Sequence, residues 1–441
     1  MRPNPIDLES HFNIEDVFFS KTDLSSKIIY GNRVFYDIAK YSHKELKGKP
    51  HNIIRHPDMP KAVFYYLWDF IKHNKPFAGY VKNLAKDGSY YWVFAIVFPI
   101  FDEGKKRGYL SVRIKPTTKL FAIAQKLYKN LKKIEEQEGL EDSKKVLAQM
   151  IQEQGFVNYE DFMIEALLEE FRSKEKHFQI TIDPKHLANI PRLNHIYDMA
   201  KVVEYIYGAL KNRLYFFIDL ESELEEKFQK IFEITDSLSL IALNSSVESH
   251  KLGSIGASFA VVSSQIKKDA EEIGTYTLTL RKITKKLYHH IKSTILHLLS
   301  LNIEIFAILY YLKETIDYQS CSEGECIDKL EDFVKVLKAS TQEVSTQSNI
   351  LKEHIEETLH IVNKIQRLIK ELHYIQINGL IEASKLEDIK FNIIFQQVQN
   401  LVESTTKTLE ELSPSIKTAH KYSTDIAKNV KEVDFYLQHL L

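Results

Sequence analysis

Arg55, His56 and Asp58 fall within four residues, around Pro57 and just ahead of Pro60, in the run PHNIIRHPDMPKAVFYYLWDF (50–70). An arginine, a histidine and a carboxylate at the mouth of a helix-like segment are equipped to hold an anion. The helix start offers free N–H groups and a partial positive charge suited to a pyrophosphate; Arg55 adds a bidentate grip and His56 a further donor. Trp68, about ten residues into the helix, can stack on a ring system or line its pocket. Plainer roles stand beside these. Asp58 ahead of Met59-Pro60 is a good N-cap in its own right, His56 next to Pro57 can be a structural histidine, and Trp68 and Trp92 can be core residues. Arg55 is the hardest to assign to structure alone, because a small domain seldom holds a partly buried arginine without a partner.

The elements around this motif follow from the punctuation. Of 11 prolines, eight lie at or before Pro116; Pro184, Pro191 and Pro414 are the rest, so 192–413 has none. Glycine, at 14 residues, is well below its usual share of roughly 7%. A proline-free stretch rich in Leu, Ile, Lys and Glu predicts very long helices. The first ~118 residues are different, aromatic and turn-containing. There VFFSKTD and KIIYGN predict two short strands, and FAGYVKNL, SYYWVFAIVFPIF and RGYLSVRIK predict three more, with turns at Asp87-Gly88 and Glu103-Gly104. Two strands, short helices, then three strands make a small α+β domain with a helix-lined pocket against one sheet face, which is the PAS plan.

The stretch from SKTDLSSKIIYGN to GYLSVRIKPTT resembles the PAS domain of bacterial aerotaxis receptors over about a quarter of the chain. The N-x-x-RHPDMP element, the VKN…G…YWV strand pair and the GY-S-R closing strand carry the resemblance; Phe77 stands where the family often has tryptophan. It implies a domain that binds FAD non-covalently and reports redox state, through Arg55, His56, Asp58 and Trp68, with Asn83 on the facing strand. A haem sensor is the alternative: His43, His51, His56 and His73 are available as an axial ligand, and nothing in their spacing selects one.

From Leu210 a 4-3 pattern runs through Leu214, Phe217, Glu221, Leu224, Phe228, Ile231, Thr235 and Leu238, a coiled-coil seam. It leads into IALNSSVESHKLGSIGASFAVVSSQIKKDA (241–270), which resembles the cytoplasmic hairpin tip of methyl-accepting chemotaxis proteins at Asn244, Glu248, Gly253, Gly256 and Phe259–Val262, with Lys251 in place of an arginine. A second copy, IQINGLIEASKLEDIKFNIIFQQVQ (375–399), aligns with 241–265 at a constant offset of 134 and repeats Asn378, Glu382 and Lys385, while Glu387 and Lys390 replace the tip glycines. The breaker YQSCSEGEC (318–326) lies midway between tips near 253 and 387, so each arm is about 60 residues, or about 90 Å. Two hairpins joined by one turn predict a long antiparallel four-helix bundle in a single chain, a fused pseudo-dimer; a homodimer of self-paired hairpins is the alternative. Cys321 and Cys326 read as free thiols on that return loop.

The predicted domains are a PAS domain at 1–118, a helical linker at 119–187 that passes a PAS change onward, and the chemoreceptor-like bundle at 188–441. Near-balanced charge, 59 Lys+Arg against 60 Asp+Glu, gives no net field toward nucleic acid or an anionic membrane. The most apolar stretch, 294–312, carries His297, Asn302 and Glu304, so it reads as a buried helix face rather than a span. Only five glycines lie beyond Gly208 and none form the G-x-G of a kinase ATP lid, so an enzyme is not expected. The expectation is a cytoplasmic redox or oxygen sensor for energy taxis. Its partners, implied by the resemblance, are the chemotaxis histidine kinase, its coupling protein or other chemoreceptors, with self-association open. The other class is a cofactor-free PAS scaffold that docks a separate receptor.

Overall fold

The computed structural model describes residues 3–187, 190–318, 322–385 and 389–439. It divides into two compact units. The first is Met1–Ala209, Thr294–Ser345 and Asn429–Leu441; the second is Leu210–Ser293 and Thr346–Lys428.

In the first unit the aromatic and β-branched runs pair as one antiparallel sheet. Its strands are β1 (Phe18–Asp23), β2 (Ile28–Gly31), β3 (Phe77–Leu84), β4 (Tyr90–Asp102) and β5 (Lys105–Ile114), in the order β2-β1-β5-β4-β3. Glu103 and Gly104 join β4 to β5 with φ of 49° and 73°, the left-handed pair that a two-residue hairpin needs to match the strand twist. Phe94 to Phe98 of β4 are all buried, so the sheet is covered on both faces. Between β2 and β3 come α1 (Arg33–Ala39), α2 (His43–Leu46), a 3-10 turn (His51–Ile54) and α3 (Lys61–Lys72). After β5 come α4 (Lys119–Gln137), α5 (Leu140–Glu153) and α6 (Tyr159–Lys174). These pack on the outer sheet face: Phe121 of α4 lies 5.5 Å from the Tyr80 ring, and the Ala78 N–H reaches Met163 Sδ of α6 at 3.0 Å.

The start of α3 departs from the sequence expectation. Its N-cap is Pro60, and no side chain of its own caps it. Asp58 is two residues too early and is drawn to Lys82 Nζ at 2.7 Å. The free N–H groups of Lys61 and Ala62 donate instead to Glu135 Oε2 of α4, at 2.6 and 3.3 Å. The helix start that suited a pyrophosphate therefore already holds a carboxylate.

A short α7 (Pro184–Leu187) precedes four long helices: α8 (Pro191–Lys251), α9 (Ala257–Tyr318), α10 (Glu323–Lys385) and α11 (Ile389–Gln438), of 61, 62, 63 and 50 residues. The first tip is a 3-10 turn at Gly253–Gly256, with Gly253 at φ 58°. The second tip near 387, with Glu387, lies outside the described residues. In the second unit Leu210, Phe217, Leu224, Phe228, Ile231, Thr235 and Leu238 form a buried seam; the side chains of Leu214 and Glu221 lie outside those described. All four helices meet there. Arg213 pairs with Asp425 at 3.2 Å (α8–α11), His290 Nδ1 lies 2.7 Å from Gln347 Oε1 (α9–α10), and Phe259 stacks on Phe391 at 4.0 Å (α9–α11). The single chain thus forms an antiparallel four-helix bundle.

Among the described residues one helix is long and apolar enough to cross a bilayer, Gly253–Tyr318, and 89% of its apolar window is buried inside the protein. Cys326 corrects the free-thiol expectation: it is buried and disulfide-bonded, and no described cysteine is free. Cys321 lies outside the described residues.

Candidate ligand pocket in the N-terminal domain

A cavity of about 340 Å³ lies between α3 and the inner face of the sheet. The pleat decides who lines it, because alternate residues of a strand share one face. Ser20 and Thr22 come from β1, Val81 and Asn83 from β3, Ala95 and Val97 from β4, and Tyr109, Ser111 and Arg113 from β5. Opposite them α3 supplies Phe64, Leu67, Trp68 and Ile71 at helical spacing, and Ser25, Ser26, His51, Asn52 and Arg55 complete the wall. One side is thus apolar and aromatic, the other polar.

Arg113 dominates the polar side. It is 3% exposed, and among the described residues no carboxylate pairs with it. Its Nη2 donates to Ser20 Oγ at 2.9 Å and lies 2.7 Å from His51 Nε2, while Nη1 has no hydrogen-bond partner. Arginine can only donate, so His51 Nε2 accepts and the ring is neutral. Burial, helped by the Arg113 charge, holds the His51 pKa down to about 3; burial alone lowers that of Arg113 to about 10. A buried guanidinium with a spare N–H pair, beside a histidine held neutral, is an anion-receptive corner.

The sequence-predicted residues divide between two places. Arg55, Trp68 and Asn83 line the cavity. Arg55 forms a backbone bridge to Asn83, donates from Nη2 to Met59 O at 2.8 Å and lies 4.0 Å over the Phe64 ring. Trp68 meets Tyr109 edge-on at 5.9 Å. His56 and Asp58 do not line it. His56 is buried behind the pocket, accepting from the Asp58 N–H at 3.2 Å, with its pKa lowered first by burial and then by Lys82. Asp58 is largely exposed and lies with Lys82, Tyr90 and Trp92 along a separate groove. Of the other haem-ligand candidates, His43 and His73 are exposed. Arg113 was missed as a site residue, although the strand period carries it: Tyr109, Ser111 and Arg113 alternate onto one face.

At the first bundle tip, Asn244, Lys251 and Gly253 are exposed, while Gly256 and Phe259 are buried. Glu248 pairs with Lys251 at 2.6 Å and with Lys390 at 3.4 Å; Glu382 repeats the pair with Lys385 at 2.7 Å. Asn378 is half-buried. The offset of 134 holds in burial too: Ala242, Ser245 and Ser249 are buried on α8, and Gln376, Gly379 and Ala383 on α10.

The family model for the PAS fold matches residues 28–113. The chain is similar to an aerotaxis receptor of Escherichia coli, 44% identical over 117 residues, which are 26% of this chain and 23% of that protein. It is also similar to a probable methyl-accepting chemotaxis protein of Bacillus thuringiensis subsp. konkukian, 26% identical over 128 residues, 28% of this chain and 19% of that protein. Each alignment spans less than a quarter of the relative's length. Among solved structures, the PAS domain of a Colwellia psychrerythraea protein is 23% identical, covering 22% of this chain and 85% of that one at a TM-score of 0.22. Residues 28–113 are thus a PAS domain, at the head of a chain that continues as a long antiparallel helical bundle.

Proposed function

We propose that this protein is a non-enzymatic, cytoplasmic taxis sensor whose PAS pocket holds a flavin and whose helical bundle is the signalling arm. The observation that carries the flavin reading is Arg113: a buried guanidinium whose Nη1 has no hydrogen-bond partner, on a residue that lines a cavity shared with Trp68, Phe64 and Leu67. The aromatic wall suits a fused ring, and the polar corner suits its hydrogen-bonding, electron-accepting edge. A bound flavin would supply reversible redox chemistry in which its ring gains negative charge on reduction. Arg113 would then hold that charge, His51 would keep Arg113 aimed, and Trp68 and Leu67 would keep water off the ring. With the start of α3 taken by Glu135, Ser25, Ser26 and Asn52 are the polar wall residues that would hold a diphosphate such as that of FAD. The haem reading is weaker, because the His51 Nε2 needed as an axial ligand is already engaged by Arg113 and Ser20.

Two stripes support the signalling reading. Leu240, Leu243 and Val247 on α8 are 63%, 52% and 51% exposed, and Tyr374, Ile377 and Ile381, each 134 residues later, are 69%, 41% and 48% exposed. Apolar side chains left in water twice at one spacing mark contact faces. In this reading they meet a coupling protein, the chemotaxis histidine kinase or further receptor copies, and the two hairpins act as a pseudo-dimer.

The visible absorption spectrum of the purified protein tests the pocket. Two flavin bands that bleach on reduction support the reading. A Soret band would replace flavin by haem. A colourless protein that neither FAD nor FMN reconstitutes would leave the cofactor-free scaffold.

A further inference from the structure

Strand β1 has one edge of chemistry on each face. Ser20 points into the pocket, where it bonds Arg113 and His51. Its neighbours point the other way, onto the base of the bundle, which belongs to the same compact unit. Phe19 meets Tyr311 of α9 at 5.1 Å and Phe333 of α10 at 4.8 Å, both edge-on. Lys21 Nζ sits 2.6 and 2.7 Å from the two oxygens of Asp332 of α10, whose Oδ2 also accepts from Tyr30 OH at 2.9 Å.

A second connection runs beside it. The His51 ring stacks on Phe35 at 6.2 Å and 16°, and Arg113 lies 5.3 Å over the same ring. Phe35 cannot move alone, because a Cβ on Gly31 would stand 2.4 Å from it and its N–H donates to Asn32 Oδ1 at 3.4 Å. Asn32 is the N-cap of α1; it also accepts from Phe19 N–H at 3.0 Å and donates to Val17 O at 3.0 Å. From α9, Glu314 reaches this knot with both oxygens. Oε1 accepts from Arg33 N–H and Oε2 from Asn32 Nδ2, each at 2.7 Å. Glu314 is 5% exposed, so loosening either bond would strand a buried carboxylate, an expensive change that the surrounding structure resists.

We infer that Glu314 and Asp332 are the residues through which the state of the PAS pocket reaches the bundle, directly across β1 and the α1 cap rather than along the α4–α6 linker. A change in charge or hydrogen bonding at Arg113 and His51 moves Ser20 and Phe35. Those motions shift Lys21 against Asp332 and Asn32 against Glu314, so two bundle helices are addressed at once. The identity of the natural stimulus rests on the flavin reading; the route does not, since every contact in it belongs to the chain itself.

Hydrogen–deuterium exchange on the full chain tests the route. The pocket is perturbed in two ways: by dithionite reduction of bound FAD, and, without any cofactor, by Ser20→Ala or Arg113→Met. Either perturbation is expected to change exchange in 310–318 and 329–335 by about fivefold or more, the lower end of ordinary allosteric coupling. The response should persist in Glu135→Gln, which loosens the linker's hold on α3, and fall below about twofold in Glu314→Gln. Exchange that changes in 119–137 and 159–174 while 310–318 and 329–335 stay fixed would overturn the proposal in favour of the linker. An undiminished response in Glu314→Gln would remove Glu314 from the route. A chain that takes up no FAD defeats the flavin reading only, and the Ser20→Ala and Arg113→Met measurements still decide the coupling.

Discussion

At the residue scale, Arg113 carries the most weight. A buried charge without an ionic partner costs stability, and such sites persist where a ligand repays the cost. Arg113→Met is therefore expected to raise the stability of the ligand-free protein by about 1 kcal/mol in urea unfolding while abolishing retention of flavin colour. Loss of stability together with unchanged colour would count against the assignment. The histidines make a pH prediction. His51 is held down to about 3 and His297 to about 4, both by burial first. Each folded value lies below the usual 6.5, so beneath that pH the native chain binds fewer protons than the unfolded chain. Stability then falls as pH falls, from about 6.5 to about 4 for His297 and to about 3 for His51, by up to ~1.4 kcal/mol per pH unit for each. Buried Glu304 and Glu314, whose carboxyls are pushed up by burial, act in the opposite sense. Comparing His51→Asn with the parent chain isolates the histidine: the variant should lose about one proton's worth of acid sensitivity over that window. Parallel profiles would show that His51 is not held neutral.

At the element scale, the starts of α3 and α4 are secured by carboxylates from other helices. Glu135 of α4 caps α3, and Glu170 of α6 binds the Thr117 and Thr118 N–H groups ahead of α4. Glu170 also accepts from Tyr80 OH at 3.1 Å and pairs with Lys174, with both side chains fully buried. Glu170→Gln would leave the Lys174 ammonium without its anion, and a loss of about 3–5 kcal/mol is expected. Glu170→Met with Lys174→Met should recover most of it, since the desolvation of both charges disappears together. Denaturant midpoints of the three chains check this, and a double variant no better than the single would show that the hydrogen bonds to Thr117 and Thr118 matter more than the ion pair.

At the scale of the whole molecule, the pairing of two hairpins within one chain predicts a solution mass. At nanomolar concentration the protein should sediment at its own 51.5 kDa. A species of twice that mass at the same dilution would mean that hairpins pair between chains. The tip contact argues for closure within the chain, because Phe259 stacks on Phe391 and Phe395 fills the space beside Gly379, where a Cβ would stand 2.5 Å from its ring. Gly379→Ala should accordingly lower stability by about 1–3 kcal/mol through overpacking, measured by the same unfolding experiment.

The sequence by itself determined the five strands, the hairpin turn at Glu103-Gly104 and the long helices, because each follows from local pattern: strand alternation, a turn glycine, heptad spacing and the proline-free run over 192–413, although α11 continues through Pro414. The 134-residue repeat likewise located both arms of each hairpin. Part of the pocket wall was legible for the same reason, since Arg55, Trp68 and Asn83 lie within one motif and one strand. Only the tertiary structure decided what shares the cavity with them. It brought His51 and Arg113, 62 residues apart, into one buried corner, turned His56 and Asp58 away, and gave the start of α3 to Glu135, 74 residues downstream. Those outcomes depend on which faces pack together and which buried charge finds a partner, and local sequence pattern carries neither.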